Sequence, residues 1–91
     1  MLSYKHKIRR YYETSAADLI TDAMDYYEIT QQDLANQLAV SQKNISDILN
    51  HKQYINEALA LRIQQVLGIS SKLLLALDSD YKLHRGMYRD A

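Results

Sequence analysis

Apolar positions recur at helical spacing along most of this chain, and capping residues stand where that period breaks. Ser15, with Asp18 three residues on, opens a predicted helix whose inward side carries Ile20, Ala23, Met24 and Tyr27. Thr30 and Asp33 repeat the signature before a second helix with Leu34, Ala35 and Leu38 on one face. Ser41 opens a third, in which Ile45, Ile48 and Leu49 share a face, and only Ala39, Val40 and Ser41 separate it from the second. Two capped helices meeting at so short a corner describe a helix-turn-helix. Ile55 is expected to tuck into the core, and Asn56 caps a fourth helix that turns Leu59, Ile63, Val66 and Leu67 inward. Gly68 follows where a helix end favours a left-handed residue.

Ser70 caps a fifth helix of a different kind. Leu73, Leu74, Leu77 and Tyr81 make one stripe, while Leu75 and Leu83 lie off it, so apolar surface wraps much of the helix. A helix apolar on two sides needs two partners. One is its own domain and the other a second subunit, so a symmetric homodimer is expected through residues 70–85.

The first 13 residues have no helical period. Lys5, Lys7, Arg9 and Arg10 alternate there with Tyr4, Ile8, Tyr11 and Tyr12, which reads as a basic arm. It is either a solvated tail, an arm that touches DNA, or a segment that orders against a protein partner. An acidic block follows, and Asp18, Asp22 and Asp25 are expected opposite Ile20 on the outward side of the first helix. That side is a solubilising surface or a dock for a basic protein.

Composition narrows the picture further. The 91 residues make one helix-turn-helix domain, 14–91, after the arm. A domain of this size buries only about 60–65% of its unfolded surface, so a second subunit would help it. Proline is absent and glycine occurs only at Gly68 and Gly86, which favours an all-α fold. The absence of cysteine excludes disulfides and thiolate metal sites and suits a cytoplasmic protein. The longest apolar run, Leu73 to Leu77, is far too short to span a membrane. A net charge of zero argues against indiscriminate nucleic-acid binding.

The stretch Gln31-x-x-Leu34-Ala35-x-x-Leu38-Ala39-Val40-Ser41-x-x-x-Ile45-Ser46-x-Ile48 resembles the helix-turn-helix of the phage-repressor (XRE/Cro-like) family. That resemblance implies a five-helix, lambda-repressor-like fold. Ala39 stands where the family usually has glycine, and an alanine there must tolerate a left-handed or strained backbone. Further on, Asn56-Glu57-Ala58-Leu59-Ala60-Leu61-Arg62-Ile63-x-x-Val66-Leu67-Gly68-x-Ser70, with the distal Leu77-x-x-x-Tyr81-x-Leu83, is similar to HigA-type (VapI-like) antitoxins of type II toxin–antitoxin systems. The likeness covers roughly residues 16–85. The family's Asn-Gly-Lys-Arg-Pro-Ile-Thr loop is replaced here by Asn50-His51-Lys52-Gln53-Tyr54-Ile55-Asn56, and its His-Pro-Gly-Glu segment by Thr14-Ser15-Ala16-Ala17. The resemblance implies an antitoxin that binds a small basic ribonuclease toxin of the HigB/RelE kind and represses its own operon.

With Ile45, Ile48 and Leu49 inward, the wheel places Lys43, Asp47 and Asn50 near the outward pole, Asn44 and Ser46 on the flanks, and Gln42 in the first turn. Such a helix fits the major groove, where Gln42 or Asn44 can pair with adenine, Lys43 with guanine, and Asp47 with the cytosine amine. Asp47 also stands four residues after Lys43, the spacing of a simple ion pair. Thr30, Gln31 and Gln32 open a helix whose free N–H groups can hold a phosphate, and Ser41, Asn50, Lys52 and Gln53 flank the reading helix as further phosphate contacts. Arg9, Arg10, Asp18, Asp22 and Asp25 are the surfaces offered to a toxin. Few cations per subunit mean that operator affinity should depend on two half-sites of a palindrome.

Enzyme chemistry finds no support. His6, His51 and His84 are isolated, no nucleophile motif exists, and no cofactor or small-molecule substrate is implied. Two other readings stand beside the antitoxin: a repressor without a toxin partner, and a protein-interaction module that has lost DNA binding. The last is favoured by zero net charge and by Gln42 where many relatives carry arginine.

Overall fold

The computed structural model describes the backbone of residues 15–89 and the side chains of residues 15–83. The predicted basic arm, with Arg9 and Arg10, lies outside the described residues. Five helices and no strand occur among those described: α1 (Ala16–Tyr27), α2 (Gln31–Leu38), α3 (Gln42–Leu49), α4 (Glu57–Leu67) and α5 (Ser71–Arg89). α2 packs on α3, α4 on α5, and α1 lies against α3, α4 and α5.

Each helix begins where its cap predicts. The Ser15 hydroxyl accepts the Asp18 N–H at 3.1 Å while the Asp18 carboxylate accepts the Ser15 N–H at 3.0 Å, and Thr30 and Asp33 form the same reciprocal pair at α2. Ser41, Asn56 and Ser70 cap α3, α4 and α5 through the N–H groups of Asn44, Leu59 and Leu73. Every such bond satisfies a donor that the helix itself leaves unpaired.

The helix ends share a second device. Glu28, Ala39 and His51 all adopt left-handed backbone, with φ of 58°, 59° and 62°. At each, two N–H groups fold back on the last turn: Glu28 to Asp25 and Ile29 to Met24, Ala39 to Asn36 and Val40 to Ala35, His51 to Ile48 and Lys52 to Asp47. These are Schellman motifs built without glycine. Gly68, at φ 77°, ends α4 with a single bond to Gln64, as the sequence predicts. The left-handed geometry expected of Ala39 is therefore present, and two more side-chain-bearing residues share it.

The core gathers Ile20 and Ala23 of α1, Leu34, Ala35 and Leu38 of α2, Ile45 and Ile48 of α3, Leu59, Ala60, Ile63 and Leu67 of α4, and Leu74 and Leu77 of α5. Ile55 closes it from the α3–α4 loop. Some inward assignments need correction. Tyr27 is 49% exposed, because α1 ends there and the chain reverses at Glu28; its ring meets Tyr26 edge-on instead. Leu49 and Val66, near the ends of their helices, are half-buried against the core rather than within it. Leu74 and Leu77 are fully enclosed by their own domain, which leaves them no surface for a second subunit. Among its described side chains, the large apolar ones that α5 exposes are Leu73 and Leu83, with Leu75 half-buried.

Candidate nucleic-acid interface

α3 is anchored from beneath by Ile45 and Ile48 and presents the opposite side to solvent. Gln42 and Lys43 are exposed, while Asn44, Ser46 and Asp47 are half-buried on its flanks. Lys43 Nζ donates to Asp47 Oδ2 at 2.9 Å, with the lysine side chain 81% exposed and the aspartate 23%. The ion pair read from the spacing is therefore formed, and it neutralises the carboxylate on this side of α3. The Asn50 amide donates to the Ser46 carbonyl at 2.9 Å and to its hydroxyl at 3.3 Å, so this side chain closes the end of α3.

Around α3, the residues expected to contact phosphates differ in how free they are. Thr30 and Ser41 use their hydroxyl oxygens as helix caps. At α2 the Asp33 carboxylate already occupies the positive end of the helix dipole through the Thr30 N–H. Gln31 is half-buried, and exposed Gln32 donates its amide to Asn36 at 3.0 Å. Beyond α3, Lys52 is exposed and Gln53 half-buried, on a loop whose first N–H groups are bound to the end of α3. On α1, Asp22 and Asp25 are exposed, but Asp18 is half-buried in the Ser15 cap and does not belong to a free acidic face.

Two residues that the sequence reading did not single out hold α3 in place. Arg62 Nη1 donates to the Leu38 carbonyl at 2.8 Å, tying α4 to the last turn of α2 beside the corner. Asp78 of α5 accepts the Ile55 N–H at 2.7 Å, tying α5 to the loop after α3. Burial pushes the Asp78 carboxyl above the usual carboxylate range, against the downward pull of that N–H and of nearby Lys82 and His51. A signal for Asp78 exists in the pattern: with Leu74, Leu77 and Tyr81 it completes an i, i+3, i+4, i+7 set, a charge in a core position.

Among the described residues no group of three or more His, Asp or Glu side chains could hold a metal ion, and no helix is long and apolar enough to cross a membrane. No protein-family model and no curated protein matches the chain. Solved structures do. One, from Nostoc punctiforme and assigned as an antidote protein of a plasmid maintenance system, aligns with TM-score 0.75 and 25% identity over 85% of each chain. A HigA-family addiction-module antidote from Coxiella burnetii aligns with TM-score 0.72 and 20% identity, again over 85% of each. A Pseudomonas aeruginosa protein in complex with its 18-bp operator DNA aligns with TM-score 0.72 and 22% identity over 93% of this chain and 88% of that one. In its five-helix, helix-turn-helix architecture the chain is thus similar, over most of its length, to a plasmid-maintenance antidote protein, to a HigA-family antidote and to an operator-bound protein.

Proposed function

We propose that the protein is an antitoxin of the HigA type, one that binds and neutralises a small basic ribonuclease toxin and, as a dimer, binds a palindromic operator to repress its own operon. The observation that carries the DNA half of this reading is α3 itself: a capped helix, fixed by Ile45 and Ile48, with Gln42 and Lys43 exposed at its leading end. The operator-bound structure of like fold supports the same use of the architecture. In this reading Gln42, Lys43 and Asn44 meet base edges in the major groove. Asp47 acts through Lys43, holding it between DNA-free and DNA-bound rotamers. The N–H groups of Gln31 and Gln32, with Lys52 and Gln53, grip phosphates on either side.

The toxin half is supported by the likeness to antidote proteins and by the exposed carboxylates of Asp22 and Asp25, beside the exposed rings of Tyr26 and Tyr27 on α1. Dimerisation falls to the outer side of α5, where Leu73 and Leu83 are exposed. The domain, 14–91, carries both tasks.

Two experiments test the halves separately. The protein should retard the promoter region upstream of its own gene in a mobility-shift assay, with affinity falling steeply as salt rises. Co-expression with the adjacent reading frame should relieve growth arrest and yield a co-purifying complex. DNA binding without co-purification would leave a plain repressor; co-purification without DNA binding would leave an interaction module.

A further inference from the structure

The loop from Asn50 to Ile55 joins α3 to the rest of the domain on the C-terminal side, and among the described residues it meets α5 at Asp78, Tyr81 and Lys82. Ile55 donates its N–H to Asp78 at 2.7 Å, the His51 ring stacks on Tyr81 at 4.2 Å and 17°, and Lys82 Nζ lies 4.6 Å from the centre of the Tyr54 ring. Asp78, Tyr81 and Lys82 stand at i, i+3 and i+4, so a single face of α5 receives residues 51, 54 and 55 in turn. At its other end the loop is pinned to α3 by the His51 and Lys52 N–H groups. Gln53 sits between the two sets of pins, next to Lys52, whose side chain is exposed.

α3 packs on α1 and α2, and its connection to α5 runs through this loop. The contact made by Asp78 is also the most demanding of the three. Ile55 is buried, so its N–H has no water to turn to, and the carboxylate that receives it is held in place against the cost of its own burial. An Asn50–Ile55 segment without proline would not otherwise hold one shape beyond Lys52, since unpaired loop backbone loses conformational entropy on ordering without return.

We propose that Asp78 is a positioning residue for DNA binding: by holding the Ile55 N–H it fixes the 50–55 loop on α5 and so presents Lys52 and Gln53 to the phosphate backbone beside the reading helix. This rests on the DNA-binding reading of α3. Asp78 touches no DNA and acts through the loop. The helix that holds the loop is the one whose outer side is left for a second subunit, so the geometry of the phosphate grip and the spacing of two subunits are set by one element.

The test uses the full chain and a duplex of its upstream promoter region, with affinities measured across a range of salt. Lys52→Ala should lower the slope of log affinity against log salt by about one per subunit. Asp78→Ala should lower it by a similar amount, and Lys52→Ala added to Asp78→Ala should lower it no further. Asp78→Asn, which keeps an acceptor oxygen, should restore most of the slope. In amide NMR spectra, Asp78→Ala should move the signals of Lys52, Gln53 and Ile55 and leave those of Gln42 to Asp47 in place. If Asp78→Ala does not fold, the cycle is run with Asp78→Leu, which fills the same space without an acceptor, and there too the loop amides should shift and Lys52→Ala should lower the slope no further. A wild-type slope in the variant that lacks the acceptor, Asp78→Ala or Asp78→Leu, or a full Lys52→Ala effect in that variant, would overturn the proposal. Failure of the unmodified protein to bind the duplex would instead strike at the DNA-binding reading itself.

Discussion

The two ends of α3 are held by different physics. At its N-terminal end the corner is local: a Schellman turn at Ala39, Val40 half-buried against the core, the Ser41 cap, and a single long-range bond from Arg62 to the Leu38 carbonyl. At its C-terminal end a similar turn at His51 leads into a loop that depends on α5 for Asp78, Tyr81 and Lys82. A corner that the chain specifies within a dozen residues fixes the angle between two helices. A loop held by residues 23 or more positions away in sequence ties that angle to the rest of the domain.

The comparison can be broken hardest at the local corner. Leu38 is fully buried in the last turn of α2, and Leu38→Ala should lower stability by about 2–5 kcal/mol, read from the shift of the urea midpoint. At the other end Asp78→Ala strands the buried Ile55 N–H and should cost about 1–3 kcal/mol, less than the Leu38 change. Left-handed backbone sharpens the contrast further. Ala39→Gly should stabilise by up to about 1 kcal/mol, since the corner asks only for a left-handed residue. His51→Gly should gain less, or lose, because it also removes the stacking on Tyr81. Equal gains at both positions would mean that the ring contact contributes nothing. The smallest effect is expected from Lys43→Ala, whose exposed ion pair should change stability by no more than about 0.5 kcal/mol.

Proton linkage distinguishes the ends as well. The Asp78 carboxyl is raised above its unfolded value, so it favours folding in full below that value and loses this contribution as pH rises through the folded pKa. Measured against Asp78→Asn, whose amide does not titrate, the natural protein should gain relative stability as pH falls from neutral toward 4. No comparable pH dependence is expected when Arg62→Met is used to release the other corner. A stability difference from Asp78→Asn that stays flat with pH would contradict the buried-carboxylate account.

The contrast between the ends also explains what could be read before the structure. Ser15, Thr30, Ser41, Asn56 and Ser70 were legible as caps because a cap acts on an N–H three residues away. Leu34, Ala35, Leu38, Ile45 and Ile48 were legible because one helix face has one period. Tyr27 and Leu49 were misread where that period reaches a helix end and the chain turns away. Leu74 and Leu77 were rightly placed on an inward stripe, yet the pattern could not say that their own domain encloses them completely. Arg62 and Asp78 act across 24 and 23 positions of sequence, and no local period encodes such a pairing. On the reading surface, the wheel found the exposure of Gln42 and Lys43, while the capture of Asn50 and Gln32 by their own helices depends on rotamers.

The central claim is that the exposed side chains of α3 select a DNA sequence. Fluorescence anisotropy on a labelled duplex from the upstream promoter region, against a scrambled duplex of equal length, measures that selection at fixed salt. The account predicts that the natural protein prefers the promoter duplex and that Lys43→Ala, folded and equally stable, loses about 1–3 kcal/mol of that preference. Equal affinity of the natural protein for both duplexes, or an undiminished preference in Lys43→Ala, would contradict it.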